Sequence, residues 1–463
     1  MQTYQKLKQC GDNEQERIKF IKELIAEHEN SPKFKIGVIA GQFYRHEDKE
    51  LDNQKNIVFD SMGNPHEDTF TPNSKNKANF YYDFIDQAVQ YELGNGISFD
   101  NAEIQKKLGT DFTYKIQDML TYASNDGISF AFFDTKTNEL TPMCFACNID
   151  EKTPYFAPMY DEDNGKIMGG ARYWRLDANS PQRVTFYEPD GFTELKENED
   201  GELRILEGKQ SYRIKSVSNE IEGEYEADGD ASGILPIVYM DYINSKSSID
   251  GNIENLHSYN QTLSGFVNNT AKNTMYWVLR NCDGMDQIDD NNFMINMIKG
   301  GVMHLRDGVE ADAKEINIQY DARETLLTRL NEVLHHDFQA VDTKRVAAGN
   351  VTTVEIKSAY NGLNRKCDKL EKYISRTIQQ ILMLMGYDKN EPFHFQRAKE
   401  INELEAMQVM SLKAPYYSEE AATKEVLEIS GKIDEFDKIQ KQKKAEALTR
   451  ANLIGGDNNA EKE

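Results

Sequence analysis

The chain has 463 residues, of which 39% are hydrophobic and 29% charged, with 23 Tyr, 22 Phe and a formal net charge of -24. That apolar and aromatic content excludes a disordered acidic tail and suits two to four domains, or one elongated chain with subdomains. The charge excludes a protein that grips duplex DNA over its whole surface, because such binding runs on cations that displace counterions from phosphate.

The first stretch, to about Asn125, reads as helical. ERIKFIKELIAEH sets Ile18, Ile21, Leu24 and Ile25 on one face, and NFYYDFIDQAVQYELGNGISF does the same with Phe80, Phe84, Ile85, Ala88 and Tyr91 before Gly94 and Gly96 stop it. The start, MQTYQKLKQCGDNEQERIKF, lacks the apolar centre of a secretion signal, and no run is apolar enough to span a bilayer. Five widely spread cysteines argue against a disulfide framework. A cytoplasmic protein without a membrane partner is expected.

From Ile128 to Tyr242 the pattern becomes short alternating runs, GISFAFFD, ARYWRLD, QRVTFYE and ELRIL. They are parted by turns at Pro189-Asp190-Gly191, Asp200-Gly201 and Asp228-Gly229. This predicts a region of antiparallel hairpins, closed by GILPIVYMDYINSKSSIDG with Pro236 at an edge or a strand start.

Ser247 and Asp250 stand in the relation that caps a helix, and Ile249, Ile253, Leu256, Leu263, Val267 and Val278 follow at helical spacing. The pattern predicts a helix to about Asn281, with a polar middle, NNTAKNT, better suited to packing beside copies of itself around a wet interior. A small mixed segment spans Asp283 to Tyr320. Asp321 and Glu324 then open a second helix with Leu327, Leu330, Leu334 and Phe338 on one stripe.

DTKRVAAGNVTT has too little apolar periodicity to be core and is broken by Gly349-Asn350. A long helix is expected from Thr353, with Ala359, Leu363, Cys367, Leu370, Ile374, Ile378, Ile381 and Met385 along its apolar stripe and Gly386 at its end. Between Lys344 and Arg376 eight basic residues face three acidic ones, so the sign of the charge inverts only here. After Pro392 the chain reads as charged helix with a break at KAPYYSEEA. The fold class is α+β, mainly helical.

Chemistry is sparse. No phosphate-binding loop and no dinucleotide fingerprint is present, so no cofactor is expected. Cys144 and Cys147 form one C-x-x-C without a second ligand pair, which reads as two half-buried strand cysteines and no metal. His335 and His336 are adjacent and diverge by about 100° on a helix, so they do not share an ion and read as a solvated or subunit-facing pair. YDEDNG and QIDDNN lack the spacing of calcium loops and read as solvated turns. No catalytic residue is assigned.

The order of elements resembles the portal proteins of tailed bacteriophages. NFYYDFIDQAVQYELGNGISF is similar to the family's early segment, with Asn95-Gly96 in place of a small-Pro pair. GILPIVYMDYINSKSSIDGNIENLHSYNQTLS resembles the approach to the stem, through Asn244, Asp250, Ile253, Leu256, Tyr259 and Asn260. NVTTVEIKSAYNGL and NELEAMQVMSLKAPYYSEEAA are similar to the start of the tunnel helix and to the crown.

The resemblance implies a β-rich wing (residues 1–246, hairpins at 128–242), a two-helix stem (247–281 and 321–341), a small α/β clip (282–320), a tunnel loop (342–352), a long kinked helix (353–386) and a helical crown with its tail (387–463). It implies a homo-oligomer of about twelve subunits at one capsid vertex of the virion. The implied partners are double-stranded DNA in transit, the terminase large subunit, the major capsid and scaffolding proteins and a head-completion adaptor.

By position, Lys344, Arg345, Asn350, Thr352 and Thr353 would face DNA, and Asn268, Asn269, Lys272 and Asn273 would line the channel. Asp286, Asp289, Asp290, Arg306 and Asp307 would meet motor and adaptor. Hydrolysis of ATP would belong to a separate motor. Two other readings stay open from the residues alone: a cytoplasmic helical scaffold, and an acidic α+β enzyme whose site is assembled from distant residues.

Overall fold

The computed structural model describes most of residues 2–212 and 235–271, the strand pairs 214–215 with 226–227 and 275–280 with 310–315, residues 320–342 and 353–395, and parts of 410–444. Met1–Ala340 with Gly362–Gln396 forms one unit, and Val341–Asn361 with Arg397–Glu463 a second.

In the first unit, helices α1 (Tyr4–Cys10), α2 (Glu14–Asn30), α3 (Pro32–Tyr44) and α4 (Lys49–Asn53) come first. Each begins at a polar cap: the Thr3, Asn13, Ser31 and Asp48 side chains accept from backbone N–H groups of the first turn, which a helix cannot satisfy internally. Ile21, Leu24 and Ile25 of α2 are buried as the periodicity predicts, and Phe20 and His28 join them. Then follow a hairpin of β1 (Ile57–Phe59) and β2 (Pro65–Glu67), helix α5 (Phe80–Leu93), β3 (Ile97–Phe99), α6 (Ala102–Leu108) and α7 (Phe112–Asp126). The expectation of an all-helical start is therefore corrected by three short strands. One of them, β3, exists only through a partner nearly three hundred residues away, β16 (Phe393–Phe395).

The hairpin region forms β4 (Ile128–Asp134), β5 (Glu139–Cys144), β6 (Tyr155–Tyr160), β7 (Ile167–Trp174), β8 (Arg183–Glu188), β9 (Gly191–Glu197) and β10 (Leu203–Gln210). Beyond the two-residue strands β11 (Ile214–Lys215) and β12 (Glu226–Ala227), β13 (Ile237–Asp241) returns to the sheet. The eight-stranded order is β10-β9-β8-β7-β6-β5-β4-β13. Every neighbour pair is antiparallel except β5 and β6, which meet in parallel at Cys144 and Tyr155. The Pro189-Asp190 turn joins β8 to β9 with Glu188 opposite Gly191, as the turn chemistry predicts. Pro236 precedes β13, the edge strand, where a residue without an N–H is tolerated.

Alternation along β4 sends Ala131 and Phe133 into a core shared with α5 and α7, and Phe130 into a second core with Phe156 and Tyr187 on the other face. A third core joins α2 to β6, β7 and β8 through Phe20, Ala157, Tyr173 and Phe186.

After the sheet come α8 (Ile253–Ala271), β14 (Met275–Arg280), β15 (Glu310–Glu315), α9 (Tyr320–Asp337) and α10 (Thr353–Leu384). Two expectations are corrected here. Helix α8 begins at Ile253, because Ser247 and Asp250 close a turn, the Asp250 N–H donating to the Ser247 carbonyl at 3.2 Å. It also ends at Ala271 instead of near Asn281: the aromatic and branched run Met275–Arg280 pairs as a strand with Glu310–Glu315. Helix α9 opens at Tyr320, so Asp321 lies inside its first turn. Helices α8 and α9 run antiparallel, with the Arg323 guanidinium donating to the Gly265 carbonyl at 3.1 Å and the rings of Phe266 and Tyr320 edge to face at 5.6 Å.

In the second unit, α11 (Glu419–Ile429) follows the expected break and is capped by Ser418, whose Oγ accepts from the Ala421 N–H at 3.2 Å. Lys443 donates to Glu419 and Thr423 at 3.2 and 2.8 Å, and Met410 and Leu427 are buried.

Candidate functional site

Helix α10 carries the sign inversion seen in the sequence. Leu363, Cys367, Leu370, Ile374, Ile378 and Ile381 are buried, which is the predicted stripe, while Ala359 is exposed. The C-terminal end is closed as Gly386 predicts: the Gly386 N–H donates to the Met383 carbonyl and the Tyr387 N–H to the Leu382 carbonyl, at 3.1 and 2.9 Å. Arg365, Lys369, Lys372 and Arg376 are all exposed. Their spacing of four, three and four places them within about 40° of one line, a cationic stripe roughly 16 Å long.

Lys366 departs from that face. It is 5% exposed and its Nζ donates to the Phe338 carbonyl at 3.2 Å, so one cation of the basic run closes the end of α9. The same helix fastens the sheet edge. The Tyr239 N–H donates to Gln380 Oε1 at 3.2 Å, and the Tyr239 carbonyl accepts from Gln380 Nε2 and Thr377 Oγ1 at 3.1 and 3.0 Å. Backbone groups that an edge strand leaves open are thereby used.

The polar face of α8 has a partner that the sequence does not announce. Asn260 Oδ1 accepts from the Ala78 N–H at 2.9 Å. Ser264 Oγ accepts from the Asn76 N–H at 2.8 Å and donates to the Asn76 carbonyl at 2.9 Å. Asn268 Oδ1 accepts from the Ser74 N–H at 2.7 Å and its Nδ2 donates to the Ser74 carbonyl at 3.1 Å. Steps of four on a helix advance about 6 Å and steps of two on an extended chain about 6.6 Å, so three helical side chains read alternate residues of the 74–78 segment in register. At its start the ladder meets Asp48, 2% exposed, which accepts from Asn260 Nδ2 at 3.1 Å and faces His257 Nδ1 at 3.1 Å.

The expected site residues divide accordingly. Asn268 is half-buried and committed to Ser74, and Asn269 lies with it along a cleft of about 170 Å³ that Gln54, Asn56 and Lys75 also line. Thr353 is the first residue of α10. Lys272, Asn273, Lys344, Arg345, Asn350, Thr352, Asp286, Asp289, Asp290, Arg306 and Asp307 lie outside the described residues. Strands β14 and β15 set Arg280 opposite Glu310, at the two ends of the segment that carries the five clip residues.

Of three smaller readings, two are corrected and one holds. His335 is half-buried, its ring edge-on to Phe80 and Phe84 at 5.9 and 5.0 Å, whereas His336 is exposed beside Asp337, so the pair is not jointly solvated. YDEDNG is the solvated turn expected, with Glu162, Asp163 and Asn164 exposed, and its Asp161 accepts from Gln5 Nε2 at 2.8 Å and so ties α1 to the sheet. Cys144 and Cys147 are fully buried, not half-buried, because α3 and α7 cover the end of β5. Among the described residues no helix is long and apolar enough to cross a membrane.

No curated protein matches the chain. Among solved structures, a chain of the one described as "Neck of native GTA particle computed with C12 symmetry" is similar at 11% identity and a TM-score of 0.40, over 74% of this chain and 88% of that one. Residues 6–448 match the family described as "Phage portal protein, SPP1 Gp6-like". That match spans the helical start, the sheet, the α8–α9 pair, the cationic helix and the C-terminal helices alike, and the chain therefore belongs to the phage portal protein family.

Proposed function

We propose that the chain is one subunit of a ring of about twelve copies at a capsid vertex, through which double-stranded DNA passes in packaging and ejection. The observation that carries this reading is the family match over residues 6–448. The antiparallel α8–α9 pair, ended by the paired strands β14 and β15, supports a stem with a clip, and the clip is the surface offered to the terminase large subunit and the head-completion adaptor. The wing and crown are the surfaces offered to the major capsid and scaffolding proteins. The family's role is structural, and ATP hydrolysis is assigned to the separate motor.

Charge supports the mechanism. A chain of net charge -24 repels phosphate, and repulsion along most of a bore lets DNA slide. Lys344 and Arg345, with Asn350, Thr352 and Thr353, form a thin cationic and hydroxyl collar that touches the backbone without reading sequence. Asn269, Lys272 and Asn273 line the wet side of the stem.

Negative-stain images of the purified chain test the assembly: rings with a central hole support it, and a discrete monomer or dimer refutes it in favour of a helical scaffold. Lys344→Glu with Arg345→Glu tests the collar. Rings should persist while DNA packaging or retention falls, and unchanged packaging removes the collar assignment.

A further inference from the structure

Three groups that the channel reading leaves unused converge where the end of α7, the end of β5 and helix α3 meet. Asp126, Cys144 and Cys147 are 0%, 0% and 1% exposed. One carboxylate oxygen and the two Sγ atoms all lie within 4.8 Å of one another.

Asp126 Oδ2 holds the C-x-x-C turn from below, accepting the N–H groups of Phe145 and Ala146 at 2.8 and 2.9 Å. Oδ1 is equally buried and makes no hydrogen bond of ordinary length, the Cys147 thiol being the neighbouring side chain that acts on this carboxylate. A bare, desolvated carboxylate oxygen is costly, and buried polar atoms are normally paired. Among the described residues no cation forms an ion pair with Asp126; Lys33 acts on it only at a distance.

Helix α3 closes the site by close approach. A Cβ on Gly37 would stand 2.3 Å from Asp126 Oδ1, and one on Gly41 would stand 1.8 Å from the Cys147 carbonyl oxygen. Glycine at both positions, one helical turn apart, lets the backbone of α3 lie against Asp126 Oδ1 and the Cys147 backbone. Burial pushes the Asp126 carboxyl up to about 6 and the Cys147 thiol well above its ordinary value.

We propose that Asp126 Oδ1, Cys144 Sγ and Cys147 Sγ are three ligands of one soft divalent cation of the zinc class, held as a structural site inside the wing. Two thiolates on a C-x-x-C turn and one carboxylate suit such an ion, with a fourth position left for an oxygen donor. Binding displaces the two thiol protons, which leave to solvent, while Asp126 binds as its carboxylate. The bound ion would join α7 to β5 beside the one parallel joint of the sheet, Cys144 opposite Tyr155. Because the donors are covered, loading accompanies folding of the chain.

The test uses the full chain expressed in medium supplemented with cobalt or with zinc, purified without chelator and analysed for metal and for electronic absorption. The expected result is one equivalent of metal per chain, and for cobalt a sulfur-to-metal charge-transfer band in the near ultraviolet with tetrahedral bands in the visible. Cys144→Ser and Cys147→Ser should each lower the charge-transfer band by half or more. Cys10→Ser, remote from the site and only partly buried, should leave it unchanged. A folded wild-type chain with less than a tenth of an equivalent of either metal overturns the proposal, as does a charge-transfer band that survives in the double Cys144→Ser, Cys147→Ser variant. The wild-type measurement decides even where a variant fails to fold, and neither result depends on whether rings form.

Discussion

The side-chain amide of Asn268 makes a two-way hydrogen bond with the backbone of Ser74, accepting at 2.7 Å and donating at 3.1 Å. Together with Ser264 on Asn76 and Asn260 on Ala78 it makes the polar face of α8 a clamp on a distant extended segment.

The rungs of that clamp should differ in weight. Asn260 is 4% exposed and also serves the buried Asp48, so Asn260→Ala leaves the half-buried Ala78 N–H without its acceptor and removes one of the donors to Asp48, and should cost about 1.5–3 kcal/mol. Asn268→Ala, at the exposed end, should cost about 0.5–1 kcal/mol. Denaturant unfolding of both variants measures the difference, and hydrogen exchange at the amides of residues 74–78 locates it. Equal costs would contradict a graded ladder.

Within the basic run, position should matter more than charge. Lys366→Met removes the buried donor to the Phe338 carbonyl and should destabilise by about 1–3 kcal/mol. Lys369→Met, one turn away on the exposed stripe, should change stability by less than about 0.5 kcal/mol. Thermal unfolding of the two single variants separates a helix-end contact from a solvated cation.

Acid should act through His28. Its ring is buried among Phe34, Phe145 and Tyr173, with a hydrogen bond between Nδ1 and the Tyr173 hydroxyl and a buried, unpartnered Nε2. Burial lowers its pKa from 6.5 to about 3. A depressed value in the folded state means that the stability is fully present above about 6.5 and is lost as pH falls towards 3, by on the order of 4 kcal/mol. His28→Gln cannot titrate, so the stability gap between wild type and variant should shrink between pH 6.5 and 4. Parallel curves over that window would exclude His28 as the acid-sensitive group.

Close packing of α3 sets a steric prediction. Gly41→Ala would drive a methyl group against the Cys147 carbonyl, a backbone atom that cannot swing aside, and should cost about 1–3 kcal/mol. Gly265→Ala, with open space at its Cβ position in the middle of α8, should be neutral or stabilising by about 0.5–1 kcal/mol. Calorimetric melting of the pair checks both signs.

Local sequence alone determined the apolar faces of α2, α5 and α10, the hairpin turns from β8 through β10, the edge position of β13 and the place where the charge changes sign. Those features depend on neighbours within a turn or a hairpin, and a pattern of 2 or 3.6 residues records such neighbours directly. Tertiary structure decided what lies far apart in the chain. The strand Met275–Arg280 owes its form to Glu310–Glu315, β3 to Phe393–Phe395, and the polar face of α8 to residues 74–78. Asp126 beneath the C-x-x-C turn belongs to the same class: a lone acidic residue at the end of a helix carries no local mark of the two cysteines it meets. A polar side chain is satisfied by whatever donor or acceptor the fold brings within about 3 Å, and no spacing rule in the chain encodes that partner.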